Sequence, residues 1–171
     1  MVLCFKSSLF FYFYKMDITQ IKTPLGIAKI VGDENGISVI SISDEGDVSS
    51  TIPVILQEAV LQLNDYFNGK RIDFTFKLNP SGTEFQQKVW KELHEIPFGK
   101  TMSYLELSKK LGNVKAIRAV ASANGKNPLW IVVPCHRVIG TDGSLTGYAG
   151  GLWRKKWLLE HENSTNQQSL F

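Results

Sequence analysis

A cysteine, a histidine and an arginine follow one another directly after a short apolar run, and this arrangement constrains the chain more than any other feature. The apolar run spans residues 129 to 133, and Pro134 separates it from Cys135, His136 and Arg137. Such a run predicts a buried strand or a strand-like segment. The thiol is therefore expected at the edge of a hydrophobic core.

A thiol at this position needs help to react as a nucleophile. A free cysteine with a pKa of about 8.5 is mostly protonated near neutrality, and a neighbouring imidazole or guanidinium can change that. His136 and Arg137 are the candidate helpers. The alternative is an inert core cysteine flanked by a surface pair. The chain has only Cys4 and Cys135, too few for a disulfide framework or a cysteine-rich zinc site, which indicates a reducing compartment.

Length and composition allow one medium domain or two small ones. The chain has 171 residues, of which 43% are hydrophobic and 20% are charged, so it can bury a sizeable core. We predict an N-terminal extension at 1–15, an α+β domain at 16–78, a second domain at 82–163 and a tail at 164–171. Met16 is the expected natural start. The apolar stretch of the extension is too short to span a bilayer, so no membrane association is expected.

The first domain shows alternating and helical patterns in turn. Short β-prone runs in residues 17–42, broken by turn signals, predict three antiparallel strands. Apolar residues at helical spacing predict one helix over 53–67. Residues 71–76 alternate in polarity, which fits either a further strand or an extended connection. Asn79-Pro80-Ser81-Gly82 marks the predicted domain boundary.

The second domain begins with two predicted helix starts. Thr83 with Gln86, and Ser103 with Glu106, match the capping-box pattern. A further helix is expected from 114 to about 124, and with the helix before it the pair has the dimensions of a helix-turn-helix. The alternative for this alanine-rich segment is an ordinary packing helix.

Positive charge is concentrated around the cysteine. Residues 100–137 carry seven Lys or Arg against the single acid Glu106, whereas residues 1–80 carry seven against nine acids; the net charge is +3. This distribution favours a polyanion-binding face, although a solvated helix face would have the same pattern.

Several motifs in the second domain together resemble one family, the O6-alkylguanine-DNA alkyltransferases or methylated-DNA-protein-cysteine methyltransferases. The motifs are F-G-K-T-x-S-Y at 98–104, K-A-I-R-A-V at 115–120, N-P at 127–128, P-C-H-R-V-I at 134–139, G-Y-A-G-G-L at 147–152 and W-L-L-E-H-E at 157–162. The first domain resembles the family only in general pattern. The resemblance implies an α+β fold, with a ribonuclease H-like N-terminal domain and a mostly helical C-terminal domain that carries a winged helix-turn-helix-like DNA-binding element.

The resemblance also implies a function. Members repair DNA by direct reversal: the protein would flip O6-alkylguanine, and we expect also O4-methylthymine, out of duplex DNA and transfer the alkyl group irreversibly to its own cysteine in a single turnover. The expected partner is double-stranded DNA, the expected state is a monomer, and no cofactor is expected. Some relatives bind zinc in the N-terminal domain, but residues 17–80 hold neither Cys nor His, so no metal is expected. The expected location is the cytoplasm, or the nucleus in a eukaryote.

Family roles carry over to five catalytic positions. Cys135 would be the nucleophile and methyl acceptor, His136 the base acting through a water, and Glu162 the residue that orients His136. Tyr104 would press against the phosphodiester and donate a proton to the leaving purine. Asn127 would fix the turn of the active-site loop as a structural bridge.

Other positions are expected to contact DNA or the flipped base. Arg118 would fill the gap left in the stack, as a finger on a helix that enters the minor groove. The remaining expected DNA contacts are Lys115, Ala119, Lys126 and Arg137. The expected pocket residues are Trp130, Val138, Tyr148, Ala149 and Gly150.

Two departures from the family pattern bear on substrate recognition. Ala149 stands where some relatives have Ser, so one hydrogen bond to the purine would come from backbone alone. Trp130 stands where several relatives have a small residue or Pro, and its bulk predicts poor acceptance of benzyl groups. Two rival functions remain, a non-catalytic module that binds alkylated bases and a Cys-His hydrolase. The reactive cysteine argues against the first, and the basic helix pair would be unexplained by the second.

Overall fold

The computed structural model describes residues 16 to 168, so the predicted extension at 1–15 lies outside the described residues. The first domain is a three-stranded antiparallel sheet in the order β1, β2, β3, followed by one helix, as predicted. Its elements are β1 Asp17–Thr23, β2 Gly26–Asp33, β3 Gly36–Ser43 and α1 Val54–Phe67.

Alternation of side chains places one face of this sheet against α1. Ile30 and Ile40 of the sheet are fully buried, as are Leu56 and Tyr66 of the helix, because strand side chains alternate between faces and helix side chains recur every three or four residues. Ile55, which belongs to the same apolar pattern, is 43% exposed instead. The buried helix face therefore includes a tyrosine, whose hydroxyl has to find a partner inside the protein.

The segment between the domains is an extended connection rather than a strand. Residues 71–76 form no strand, and pairing is limited to a single parallel bridge between Leu78 and Ile37. Ile37 donates its backbone N–H to the carbonyl of Lys77 at 2.8 Å. An added Cβ at Gly36 would lie 2.7 Å from the same carbonyl oxygen, so glycine permits this close approach.

The second domain consists mainly of helices. Both predicted capping boxes are present, since the side chains of Thr83 and Ser103 each accept a hydrogen bond from the backbone three residues on. The second helix of the predicted pair begins later than the predicted residue 114, because Val114–Ala116 forms a 3-10 turn and the α-helix starts at Ile117. The elements are α2 Glu84–His94, β4 Met102–Ser103, α3 Tyr104–Lys110, α4 Ile117–Gly125, β5 Val138–Ile139 and α5 Leu152–Gln168.

Helix α5 closes the domain and reaches further than expected. It continues to Gln168, so residues 164–168 are helical where a tail is predicted. Strands β4 and β5 pair in parallel, and β4 leads directly into α3. None of the helices between residues 16 and 168 has the length and apolarity that crossing a membrane requires.

The apolar run before the cysteine joins the two domains but is not a strand. Ile40 of β3 donates to the carbonyl of Pro128 at 2.8 Å and accepts from the backbone of Trp130 at 3.0 Å. Beyond that bridge the chain turns back on itself: Ile131 has a φ of 74°, and Val133 donates to the carbonyl of Leu129 at 2.9 Å. The run is buried as predicted, but as a compact loop.

Candidate active site

Asn127 holds the loop that precedes the cysteine. Its side-chain oxygen accepts from the backbone of Leu129 at 2.9 Å, and its Nδ2 donates to the carbonyl of Val133 at 2.8 Å. The side chain thereby replaces the backbone pairing that a strand would supply, and it supports the left-handed conformation of Ile131, which is unfavourable for a β-branched residue. Asn127 also reaches the sulfur: Nδ2 lies 3.1 Å from Sγ of Cys135. It is thus more than the structural bridge expected.

The thiol of Cys135 is buried and protonated at rest. It opens the 3-10 turn Cys135–Arg137, and the residue is 4% exposed. Burial raises the pKa of Cys135 to about 11, although the hydrogen bond from Asn127 and the charge of Lys155 act in the opposite direction. The neighbouring imidazole and guanidinium therefore do not ionise the thiol in advance, contrary to the simplest expectation from their adjacency. Proton removal has to accompany the reaction.

His136 has one nitrogen fixed and one free. Its Nε2 lies 2.7 Å from Oε1 of Glu162, and both side chains are fully buried. An ionised carboxylate only accepts, so Nε2 carries the proton and Nδ1 keeps its lone pair. Within residues 16–168, Nδ1 is buried and has no hydrogen-bond partner. Burial lowers the pKa of His136 despite the nearby carboxylate, which keeps the ring neutral and able to take up a proton.

Glu162 is the most heavily hydrogen-bonded side chain of the site. Besides His136 it accepts from the hydroxyl of Tyr66 at 2.9 Å and from the backbone of Gly99 at 3.1 Å. The guanidinium of Arg137 donates to both oxygens, each at 2.9 Å. Burial alone would raise the pKa of Glu162, but the hydrogen bond from His136 and the hydrogen bonds and charge of Arg137 outweigh it and hold the pKa well below its usual range.

The structure contradicts the expectation that Arg137 contacts DNA. The residue is 6% exposed, and its third donor group, Nη1, binds the carbonyl of Ile96 at 2.6 Å. Arg137 instead faces inward toward Glu162, the same carboxylate that His136 contacts. A desolvated arginine needs such a partner, and here it supports the carboxylate of the candidate relay.

Lys155 is a second buried cation near the sulfur. Its Nζ donates to the carbonyls of Val138 at 2.6 Å and Thr146 at 2.7 Å. Burial lowers the pKa of Lys155 to about 8, and the negative charge of an ionised Cys135 would raise it. Lys155 therefore ties the β5 strand to the loop before α5 and adds positive potential at the thiol.

Tyr104 and Asn124 border the thiol from the helix pair. Nδ2 of Asn124 lies 3.1 Å from the hydroxyl oxygen of Tyr104 and 3.5 Å from the carbonyl oxygen of Cys135. The pKa of Tyr104 is raised by burial first and then by the negative charge of Cys135, while the hydrogen bond from Asn124 lowers it. Asn124 thus links the phenol of Tyr104 to the backbone of Cys135.

The expected DNA-contacting residues other than Arg137 are exposed and lie on α4 or directly beside its two ends. Arg118 is exposed, about 9 Å along the helix axis from Asn124 at 1.5 Å per residue. Asn124 is buried against the cysteine, so the helix links the exposed face to the site. Also exposed are Lys115, Ala119 and Lys126.

The expected pocket residues lie on two segments near the thiol. The rings of Trp130 and Tyr148 are 5.6 Å apart between centroids, and an added Cβ at Gly150 would come within 2.6 Å of the Trp130 ring. Trp130 therefore packs beneath the loop that carries Tyr148 and Gly150. Ala149 is exposed on this loop, and Val138 is fully buried.

Sequence reasoning missed three residues of this site. Tyr66 was counted only as core, although a fully buried tyrosine needs a hydroxyl partner. Lys155 lies seven residues before Glu162, so helical spacing already put both on one face of α5. Asn124 lies four residues after the buried Val120 and was therefore on the inward face of α4. Within the described residues, no group of three His, Cys, Asp or Glu side chains could hold a metal ion.

Comparisons with known proteins agree with this geometry. Residues 84–164 match the model of the 6-O-methylguanine DNA methyltransferase DNA binding domain, and residues 16–80 match the ribonuclease-like domain of the same proteins. A methylated-DNA–protein-cysteine methyltransferase of Methanosarcina acetivorans is 45% identical over 150 residues, which cover 84% of this chain and 96% of that protein.

Solved structures give the same result. The crystal structure of the Mycobacterium tuberculosis O6-methylguanine methyltransferase superimposes with a TM-score of 0.80 at 41% identity, covering 88% of this chain and 94% of that one. The same organism's protein in complex with DNA gives a TM-score of 0.80 at 43% identity, covering 86% and 93%. The chain therefore belongs to the family of 6-O-methylguanine DNA methyltransferases, the methylated-DNA–protein-cysteine methyltransferases that repair DNA by alkyl transfer to a cysteine.

Proposed function

We propose that the protein flips O6-alkylguanine out of duplex DNA and transfers the alkyl group irreversibly to Cys135, once per molecule. The observation that carries the proposal is the position of Cys135 next to the buried His136–Glu162 pair and in contact with helix α4, with Arg118 exposed on that helix. We expect O4-methylthymine to be a further substrate. We also expect the protein to act as a monomer in a reducing cytoplasmic or nuclear compartment, without cofactor or metal.

The buried pair would supply the base for the transfer. Glu162 holds Nε2 of His136, which leaves Nδ1 to take the thiol proton through one water molecule. The sulfur then attacks the alkyl carbon as the bond from that carbon to O6 breaks, and the electron pair leaves with the purine. A proton from the hydroxyl of Tyr104 would neutralise the purine. Asn127 stabilises the thiolate through its 3.1 Å contact.

The helix pair would supply access to the lesion. The reactive carbon of a stacked base is out of reach, and flipping costs a few kcal/mol. Arg118 is exposed on α4 and can stack in the gap and pair with the orphaned base. Lys115 and Lys126 would neutralise phosphates, and the small Ala119 would let the helix approach the minor groove closely.

The loop over Trp130 would enclose the flipped base. Tyr148, Ala149 and Gly150 are the expected walls, and Val138 the floor. Because Ala149 offers no hydroxyl, a hydrogen bond to the purine oxygen would come from the backbone. The packing of Trp130 under this loop supports the view that it limits the size of the accepted alkyl group.

The decisive experiment is identification of the modified residue. The protein is incubated with duplex DNA containing O6-methylguanine, digested and analysed by mass spectrometry. We expect a gain of one methyl group on the peptide that contains Cys135, no more than one per molecule, and no gain in Cys135→Ser. Methylation of another residue, or repeated turnover, would contradict the proposal.

A second experiment tests the flipping role of Arg118. Arg118→Ala should slow repair of duplex DNA by about 100-fold, within the range typical of a lost positioning group, but should leave reaction with free O6-alkylguanine unchanged. Lys91→Ala removes an exposed cation from α2 and serves as the control. Parallel losses on duplex and free base would remove the flipping role.

A further inference from the structure

Asn124 makes two polar contacts that the transfer mechanism above does not use. It lies on the inward face of α4 and is 2% exposed. Its Nδ2 donates to the hydroxyl oxygen of Tyr104 at 3.1 Å and to the carbonyl of Cys135 at 3.5 Å. Its own oxygen is buried and has no hydrogen-bond partner within residues 16–168. The side chain therefore bridges the candidate acid and the candidate nucleophile.

The carbonyl of Cys135 fixes which way this amide points. A carbonyl oxygen only accepts, so the Asn124 atom that faces it has to be the nitrogen. The same nitrogen faces Tyr104, whose oxygen consequently accepts rather than donates. The Tyr104 hydroxyl donates to no residue in the described part of the chain, so its proton is available in the remaining directions around the oxygen.

We propose that Asn124 is a positioning residue that holds the Tyr104 hydroxyl as an acceptor on one side and thereby keeps its proton for the alkylated base. The inference rests on the proposed function and deepens it. A tyrosine whose proton was already given to a neighbouring acceptor would be a poor donor to the purine. Because Asn124 presents a donor to the Tyr104 oxygen, the Tyr104 hydroxyl cannot donate its proton in that direction.

The same contact stabilises the state formed during the reaction. As the bond from sulfur to the alkyl carbon forms and the bond to O6 breaks, the purine gains negative charge and takes the proton from Tyr104. The oxygen of Tyr104 then becomes a phenolate, and the Nδ2 donor of Asn124 lies 3.1 Å from it. Hydrogen bonds to a charged acceptor are stronger than those to a neutral one, so the contact favours proton transfer. Solvent returns the proton after guanine leaves.

The test replaces the donor by an acceptor of the same shape. In Asn124→Asp the carboxylate would take the hydrogen bond of the Tyr104 hydroxyl and direct its proton away from the base. We expect the transfer rate at saturating methylated duplex to fall about 100-fold, within the range of general acid catalysis, with the half-saturating duplex concentration changed less than about twofold. Asn124→Ala removes the donor without adding an acceptor, and its transfer rate at saturation should be about tenfold lower than that of the wild type.

Ser122→Asp is the matched control, because it adds the same charge to the exposed side of the same helix. Ser122→Asp should leave the transfer rate at saturating duplex unchanged. Repulsion between the added carboxylate and DNA phosphates affects only the duplex concentration needed for saturation. Thermal melting of all variants identifies any that do not fold. If Asn124→Asp fails to fold, Asn124→Ala alone decides the outcome.

A double-mutant cycle distinguishes positioning from a merely structural effect. If Asn124 acts through Tyr104, Asn124→Ala should cost nothing further in a Tyr104→Phe background. Losses that multiply in the double variant, or an unchanged rate at saturation in Asn124→Asp, would overturn the inference. The proposed function fails separately, if the wild-type protein gains no methyl group on Cys135.

Discussion

The two sides of His136 differ in how completely they are hydrogen-bonded. The carboxylate side, Glu162 and its donors, is fully hydrogen-bonded, whereas the thiol side, which comprises Nδ1 of His136 with Cys135 and Asn124, is not. Glu162 receives hydrogen bonds from Tyr66, Gly99, His136 and twice from Arg137. On the other side Asn127 donates to the sulfur, while Nδ1 of His136 and the side-chain oxygen of Asn124 are buried without partners in residues 16–168. Unmet polar groups in a core cost free energy, and here they lie on the side of His136 where the proposed mechanism moves a proton.

The difference indicates a division of labour between the two sides. In the proposed mechanism the carboxylate side fixes the tautomer and orientation of the His136 imidazole and takes no part in bond changes. The thiol side keeps two buried acceptors without a partner in residues 16–168, Nδ1 of His136 and the side-chain oxygen of Asn124. The N-terminal domain belongs to the first side, because Tyr66 of α1 is its direct contact with Glu162.

Removing the charge on the carboxylate side should have the largest effect. Glu162→Gln leaves Arg137 buried without an anion, which typically costs about 3 to 5 kcal/mol of stability. Methyl transfer should fall by about 1000-fold, because the tautomer of His136 is no longer enforced. Urea unfolding and single-turnover kinetics measure the two effects, and Glu160→Gln on the exposed side of α5 is the control.

The sign of the pH dependence follows from the lowered pKa of Glu162. The folded pKa lies below the unfolded value of about 4.3, so the ionised carboxylate stabilises the fold above that value and loses this contribution as the pH falls. The stability gap between the wild type and Glu162→Gln should therefore be largest near neutrality and narrow toward acid pH. A gap that widens in acid would contradict this assignment.

The thiol side can be tested by alkylation in the absence of DNA. Because the pKa of Cys135 is raised to about 11, its reaction with iodoacetamide should be slow at neutral pH and rise about tenfold per pH unit up to about pH 10. Peptide mass spectrometry separates Cys135 from Cys4, and Cys135→Ser gives the background. A plateau near pH 8 would mean that the resting thiol is activated, and the contrast between the two sides would be lost.

Tyr66→Phe measures how much the N-terminal domain contributes to the relay. It keeps the buried ring and removes one hydroxyl from Glu162, which should cost about 1 to 2 kcal/mol of stability. Methyl transfer should fall about fivefold, equal to roughly 1 kcal/mol. Ser38→Ala removes a hydroxyl hydrogen bond to Val31 elsewhere in the same domain and should not slow transfer. Equal rates in the wild type and Tyr66→Phe would exclude the contribution.

The sequence predicted the elements better than the directions of side chains. The three strands, α1 and both capping boxes were predicted because alternation, turn glycines and short-range capping depend on neighbouring residues. The concentration of positive charge around the cysteine also suggested that Arg137 contacts DNA, but its guanidinium is buried against Glu162. Residues 129–133 have a strand's composition, but beyond the short bridge to Ile40 of β3 it is the side chain of Asn127 that bonds the backbone of Leu129 and Val133. Tyr66 was hidden because an apolar helix face does not reveal what a buried hydroxyl contacts 96 residues away.

The smallest expected effect concerns the size of the alkyl group on the thiol side. Trp130 packs beneath Tyr148 and Gly150, so the wild type should transfer methyl rapidly and react poorly with O6-benzylguanine. Trp130→Ala should increase the rate with O6-benzylguanine about threefold. This corresponds to a change in activation free energy smaller than the roughly 1.4 kcal/mol of a tenfold change in rate. The gain is small because loosening the loop also weakens its hold on the base. Trp153→Ala, which removes a half-exposed indole, is the control. Equal rates for methyl and benzyl substrates in the wild type would show that Trp130 sets no size limit.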